Sequence, residues 1–148
     1  MITIKKILCP VDFSEVSHNA VRYAKEFACA MGAELILLHV VEPITMTAET
    51  VPYVSEAELE RNAKDELAVL AQKECPQTLT VKQLVKVGVA PDTIIKVAEQ
   101  ENVDFLVMGS HGRTGLTRLL LGSVTEAVMR RAKLPILVVK EKEKEFIS

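Results

Sequence analysis

Residues 103–140 read VDFLVMGSHGRTGLTRLLLGSVTEAVMRRAKLPILVVK, and the order of residue types in that stretch decides the fold. A short apolar run, Phe105 to Met108, stops at Gly109, and a polar segment holding three closely spaced glycines follows. Ser123 and Glu126 then have the spacing of a capping box, which predicts a helix from about Ser123. Ile136 to Val139 is a second short apolar run beyond it. Two such runs joined by a helix are the pattern of parallel strands with a crossover, because parallel strands cannot be joined by a tight hairpin.

Working outward toward the amino terminus, the same alternation repeats. A helix is expected to begin at Pro91, whose missing N–H is tolerated at the first helical position, with Ile94, Ile95 and Ala98 as its apolar face. Thr80 to Val87 reads as a strand, and Ser55-Glu56-Ala57-Glu58 as a capping box opening a helix that Cys75-Pro76 stops. Glu34 to Val41 is apolar at nearly every position, as a central strand covered on both faces must be. Val16, Ala20, Ala24, Phe27, Ala28 and Met31 recur at three- and four-residue steps in a helix beginning near Ser14, with Gly32 as its left-handed cap. The first strand is Lys6 to Val11. The order is β-α-β-α-β-α-β-α-β, an α/β fold in one domain spanning residues 1–148, with Lys140 to Ser148 read as a frayed polar tail. Glu42 to Val54, which holds Pro43 and Pro52, is either a lid or partner surface or a plain long connection.

Composition narrows the function. The chain has 148 residues, 49% apolar and 26% charged, with a net charge of −2, which disfavours a nucleic-acid partner and a membrane span alike. The amino terminus, MITIKK, has no secretory pattern, and the expectation is a cytoplasmic protein. Cys9, Cys29 and Cys75 lie too far apart for a CxxC site, and His18, His39 and His111 have no metal-binding spacing, so no metal centre is expected.

Chemistry concentrates at two strand ends, where open parallel sheets hold their ligands. Cys9-Pro10-Val11-Asp12 closes the first strand and Met108-Gly109-Ser110-His111-Gly112 the fourth. Gly109, Gly112 and Gly115 let backbone N–H groups approach an anion, and Gly122-Ser123 stands where a helix terminus attracts phosphate. Neither GxGxxG nor GxxxxGK[ST] occurs, which argues against an ordinary dinucleotide-binding dehydrogenase or a P-loop NTPase. Asp12 could instead cap the first helix, Arg113 could be a solvated loop charge rather than a phosphate partner, and Thr114 and Gly115 could merely shape the loop. His111 has no evident orienting carboxylate in the sequence, which favours a loop or phosphate-contact role over that of a general base.

The order Gly109-x2-Gly112-x9-Gly122-Ser123, the opening KKILCPVDFSEVSHNAVRYA, the strand LILLHVVEP and the 103–140 block together resemble the universal stress protein family over nearly the whole chain. The resemblance implies a Rossmann-like open five-stranded parallel sheet of order 3-2-1-4-5 with helices on both faces. It also implies a site for ATP, with or without Mg²⁺, with AMP or ADP as alternatives. Carried over position by position, Asp12 and Val40 would contact the base, Pro10 and Gly109 would border the ribose, and Gly112, Gly122, Ser123 and Val124 would surround the phosphates. Val11, Met108, His111 and Arg113 would be neighbours. A homodimer through strand five, Ile136 to Val139, is implied as well, beside a protein partner that the residues do not identify. Three functions remain open: a nucleotide-dependent regulatory module, a slow ATPase or phospho- or adenylyl-transferase, and a dimeric interaction module without nucleotide. The absence of HxGH and SGGxDS patterns and of a carboxylate cluster for Mg²⁺ favours the first.

Overall fold

Among the described residues five strands and four helices alternate: β1 (Lys6–Pro10), α1 (Glu15–Met31), β2 (Glu34–Val41), α2 (Glu56–Glu74), β3 (Val81–Val87), α3 (Ala90–Gln100), β4 (Phe105–Gly109), α4 (Ser123–Arg131) and β5 (Ile136–Val139). The structure is a computed structural model that describes residues 1–43, 54–112 and 121–148. Most of the expected lid, from 44 to 53, and the part of the glycine loop holding Arg113, Thr114, Gly115 and Thr117 lie outside the described residues.

The strands form one parallel sheet in the order β3-β2-β1-β4-β5. Alternate side chains of a strand face opposite ways, and here both faces are apolar. Ile7 and Cys9 of β1, Leu35 and Leu37 of β2 and Val107 of β4 pack with Ala20, Tyr23 and Ala24 of α1 and Leu67 and Leu70 of α2. Leu8, Ile36, Leu38, Leu106 and Met108 pack on the opposite side with Ile94, Val97 and Ala98 of α3 and Val128 of α4. The register puts Leu8 beside Ile36 on one side and Leu106 on the other, so β1 is the centre of both cores. The chain winds from β1 to β2 to β3 under α1 and α2, then crosses back to β4, and this reversal opens a crevice at the carboxyl ends of β1 and β4.

The helix ends follow local chemistry. Ser14 caps α1 by accepting from the Ser17 N–H, Ser55 caps α2 by accepting from the Glu58 N–H, and Gly32 ends α1 in the left-handed region at φ 63°. Three expectations need correction. Ser123 and Glu126 form no capping box, because Gly122 is the N-cap of α4 and Ser123 is already helical. The buried face of α3 is Ile94, Val97 and Ala98 rather than Ile94, Ile95 and Ala98, because 94, 97 and 98 stand at the three- and four-residue steps that share one helix face, and the helix starts at Ala90 rather than Pro91. The terminal segment, expected to fray, lies against α1: the Phe146 ring meets Tyr23 edge-on at 5.0 Å and Ile147 touches the first core. Its Lys and Glu residues hid two apolar contacts.

Candidate functional site

Pro10 ends β1, and the chain must turn into α1 within four residues. Phe13 takes a left-handed φ of 64° to do so, an uncommon state for a side chain of that size, and its ring leans on His39 at 4.7 Å. The turn is closed by short polar contacts. The Val11 N–H donates to the Leu38 carbonyl (2.7 Å), the Asp12 N–H to Ser17 Oγ (3.1 Å), and the Ser14 N–H to Asp12 Oδ1 (3.0 Å). Asp12 therefore does not cap α1, which Ser14 does. One carboxylate oxygen is held in the turn, and the other faces Gly112 so closely that a Cβ on Gly112 would collide with it.

The second wall is built at the end of β4. The Ser110 N–H donates to the Val139 carbonyl (2.8 Å), and the Gly122 N–H returns to the Ser110 carbonyl (2.7 Å), which brings both ends of the glycine loop together. The buried Thr125 hydroxyl donates to the Gly109 carbonyl (2.8 Å) and fixes the first turn of α4 to the strand. Gly122 has an ordinary extended conformation at φ −62°, ψ 148°, so its lack of a side chain answers a need for space: a Cβ there would lie 2.8 Å from His111 Cα.

Between the two walls lies a cavity of about 320 Å³, within the usual range for small-molecule sites. Pro10, Val11, Asp12, Val40, Met108, Gly109, His111, Gly112, Gly122, Ser123 and Val124 all line it. Of the residues that the resemblance assigned to the ligand and its neighbourhood, Arg113 lies outside the described residues. Sequence reading did not find Ser17, His39, Glu42, Ala90 or Thr125, which also line the cavity. Glu42 follows β2 at the same carboxyl edge as Asp12, and that position was the available signal. Thr125 offered none, because its role depends on how α4 sits against β4.

Two helix N-termini reach this cavity, and they differ. At α3 the Ala90 N–H donates to Glu42 Oε1 (3.2 Å), so a carboxylate already sits on that positive end. At α4 no side chain caps the helix, and among the described residues the N–H groups of Ser123, Val124 and Thr125 have no acceptor. The open anion position of the cleft is thus at α4. His39 donates from Nδ1 to the Val11 carbonyl (2.7 Å), which fixes its ring. Among the described residues no group of three or more His, Cys, Asp or Glu could hold a metal ion, and none of the helices is long and apolar enough to cross a membrane.

Comparison with known proteins agrees with this architecture. Universal stress protein MJ0577 of Methanocaldococcus jannaschii is 34% identical over 95% of this chain and 98% of its own length. The solved structure of MJ0577 superposes with a TM-score of 0.79 at 35% identity, covering 97% of this chain and all of that one. A universal stress protein in complex with cAMP matches with a TM-score of 0.70 at 24% identity, covering 95% of this chain and all of that one. The protein from Archaeoglobus fulgidus in complex with dAMP matches with a TM-score of 0.66 at 22% identity, again over 95% of this chain and all of that one. Residues 3–140 match the model of the universal stress protein family, and the chain belongs to that family.

Proposed function

We propose that this chain is an ATP-binding regulatory module whose cleft between β1 and β4 holds the nucleotide, with the phosphates at the N-terminus of α4. The observation that carries the reading is the uncapped first turn of α4, opening on the same cavity that Asp12 and Val40 line. The base would lie by Asp12 and Val40, the ribose by Pro10 and Gly109, and the phosphates against Gly112, Gly122, Ser123 and Val124. Unpaired N–H groups at a helix start attract anions without any cationic side chain, and the cleft end formed by glycines lets oxygens reach them. Two universal stress proteins have been solved in complex with the adenine nucleotides cAMP and dAMP, which supports the ligand class.

Binding rather than turnover is favoured because the two carboxylates lining the cavity are already engaged, Asp12 with Ser14 and Glu42 with the α3 terminus. Each keeps one oxygen without a partner among the described residues, but they are held on separate elements, and among those residues no group of three or more His, Cys, Asp or Glu gathers in the cleft for Mg²⁺, which would arrive on the phosphates. Calorimetric titration with ATP tests the proposal: one ATP per chain should bind, with phosphate release far below the roughly 10 per second typical of enzymes. Silence at millimolar ATP would remove the nucleotide reading. Turnover near the enzymatic range, lost in Asp12→Asn, would replace the module with an ATPase.

A further inference from the structure

His111 sits where the loop after β4 meets the first turn of α4, at the anion end of the cleft, and the surrounding groups define what its ring can do. The side chain is only 15% exposed. Nδ1 lies 3.1 Å from Ser110 Oγ, and Nε2 lies 3.9 Å from Glu141 Oε2, on the segment that follows β5. The ring therefore has a hydroxyl on one nitrogen and a carboxylate near the other. The other titratable groups lining the cavity are Asp12 beyond β1 and His39 and Glu42 on and after β2. Asp12 faces the neighbouring Gly112, while Glu42 is held at α3. From α4, Glu126 is paired with Arg130 at 2.8 Å. Lys140 and Lys142 flank Glu141 in the chain. Glu141 is thus the carboxylate placed to answer a positive charge on His111 in the free protein.

We infer that His111 and Glu141 form a charge latch at the phosphate end of the cleft: the imidazolium pairs with Glu141 when the site is free and exchanges that carboxylate for the terminal phosphate of a bound nucleoside polyphosphate. The inference rests on the nucleotide reading above and adds to it a dependence on ligand charge and on pH. Histidine is the side chain whose charge changes near neutrality, so lowering the pH protonates the ring and strengthens polyphosphate binding. Glu141 acts against that binding twice, by occupying the imidazolium and by repelling the phosphates. Adenosine, which has no phosphate, is indifferent to both effects.

The test is calorimetric titration of ATP and adenosine at pH 6 and pH 8, for wild type, Glu141→Gln and His111→Gln. For a partly screened pair of charges the expected changes are about threefold to tenfold. The ratio of ATP affinity at pH 6 to that at pH 8 should be larger by that factor in wild type than in His111→Gln, the protonation of ATP itself being common to both. Glu141→Gln should bind ATP more tightly at pH 6 and leave adenosine affinity unchanged. A Glu141→Gln protein with wild-type ATP affinity at pH 6 overturns the latch, as does a His111→Gln protein that keeps the wild-type pH ratio. If neither ATP nor adenosine binds wild type, the nucleotide reading falls and the latch with it; if both bind and the variants match wild type, the latch alone falls.

Discussion

Gly122 and Ser123 are adjacent, yet the structure gives them different work. A side chain at Gly122 would press on the backbone of Ser110 and His111, so Gly122→Val should push the first turn of α4 away from β4. The expected loss is about 1–3 kcal/mol of stability together with most of the ATP affinity, read by thermal melting beside calorimetry. Unchanged ATP affinity in a folded Gly122→Val protein would place the phosphates elsewhere. Ser123 is exposed and already helical, with no capping bond to lose. Ser123→Ala should therefore leave the melting temperature unchanged while removing a hydroxyl donor to phosphate, about 1.5–3 kcal/mol or on the order of tenfold to a hundredfold in ATP affinity. AMP should lose less, and equal losses for AMP and ATP would argue against Ser123 meeting the outer phosphates. The role of Gly122 as a spacing residue was not legible in the sequence, because the need arises from His111 passing behind it. The thiols are simpler to place. Cys29 is exposed, Cys9 is buried with its thiol pushed up by desolvation, and burial pushes the Cys75 thiol up to about 11. Ellman's reagent at pH 8 should label Cys29 first and Cys9 only on unfolding; simultaneous labelling of all three would contradict the packing. Because the folded Cys75 holds its proton more tightly than the ordinary value of 9.0, its contribution to stability is intact below that pH and is lost as pH rises toward about 11.

Elements hold the cleft open through a few contacts between strand ends and helix starts. The Thr125 hydroxyl on the Gly109 carbonyl joins α4 to β4, and both groups are buried. Thr125→Val keeps the shape but leaves that carbonyl without its partner, so stability should fall by about 1–3 kcal/mol and ATP affinity with it. A melting curve identical to wild type would show that the bond contributes nothing. The elements themselves were readable because each announces its period: β2 is apolar on both faces, and α1 repeats its apolar residues at helical steps. The start of α4 falls at Ser123 as expected, but the capping-box spacing of Ser123 with Glu126 goes unused, because Gly122 takes the N-cap with its N–H bonded to the Ser110 carbonyl. The terminal segment was misread for a related reason. Its charged residues dominate the composition, while Phe146 and Ile147, at the very end, make the contacts to α1 and the core.

At the scale of the molecule, β5 is an edge strand whose outer side carries no partner among the described residues, and Ile136, Leu137 and Val138 are only half-buried. An apolar edge of this kind invites pairing with a second copy. A homodimer through β5 is expected in solution, and light scattering should give a dimer at micromolar concentration for wild type and a monomer for Val138→Lys. A wild-type monomer, or a dimeric variant, would count against that interface. The reversal of winding between β1 and β4 is what gives the molecule its cleft, and the alternation of strands and helices made such a cleft foreseeable at strand ends before any side chain was placed. The proposed function requires a nucleotide in that cleft with its phosphates at α4. Amide chemical shifts followed during an ATP titration of the assigned protein test this most directly. The amides of Val11, Asp12, Val40, Gly112, Gly122, Ser123 and Val124 should move together and saturate at one ATP per chain. Shifts confined to the opposite end of the sheet, around Lys5, Cys29 and Thr78, or no shifts at millimolar ATP, would contradict it.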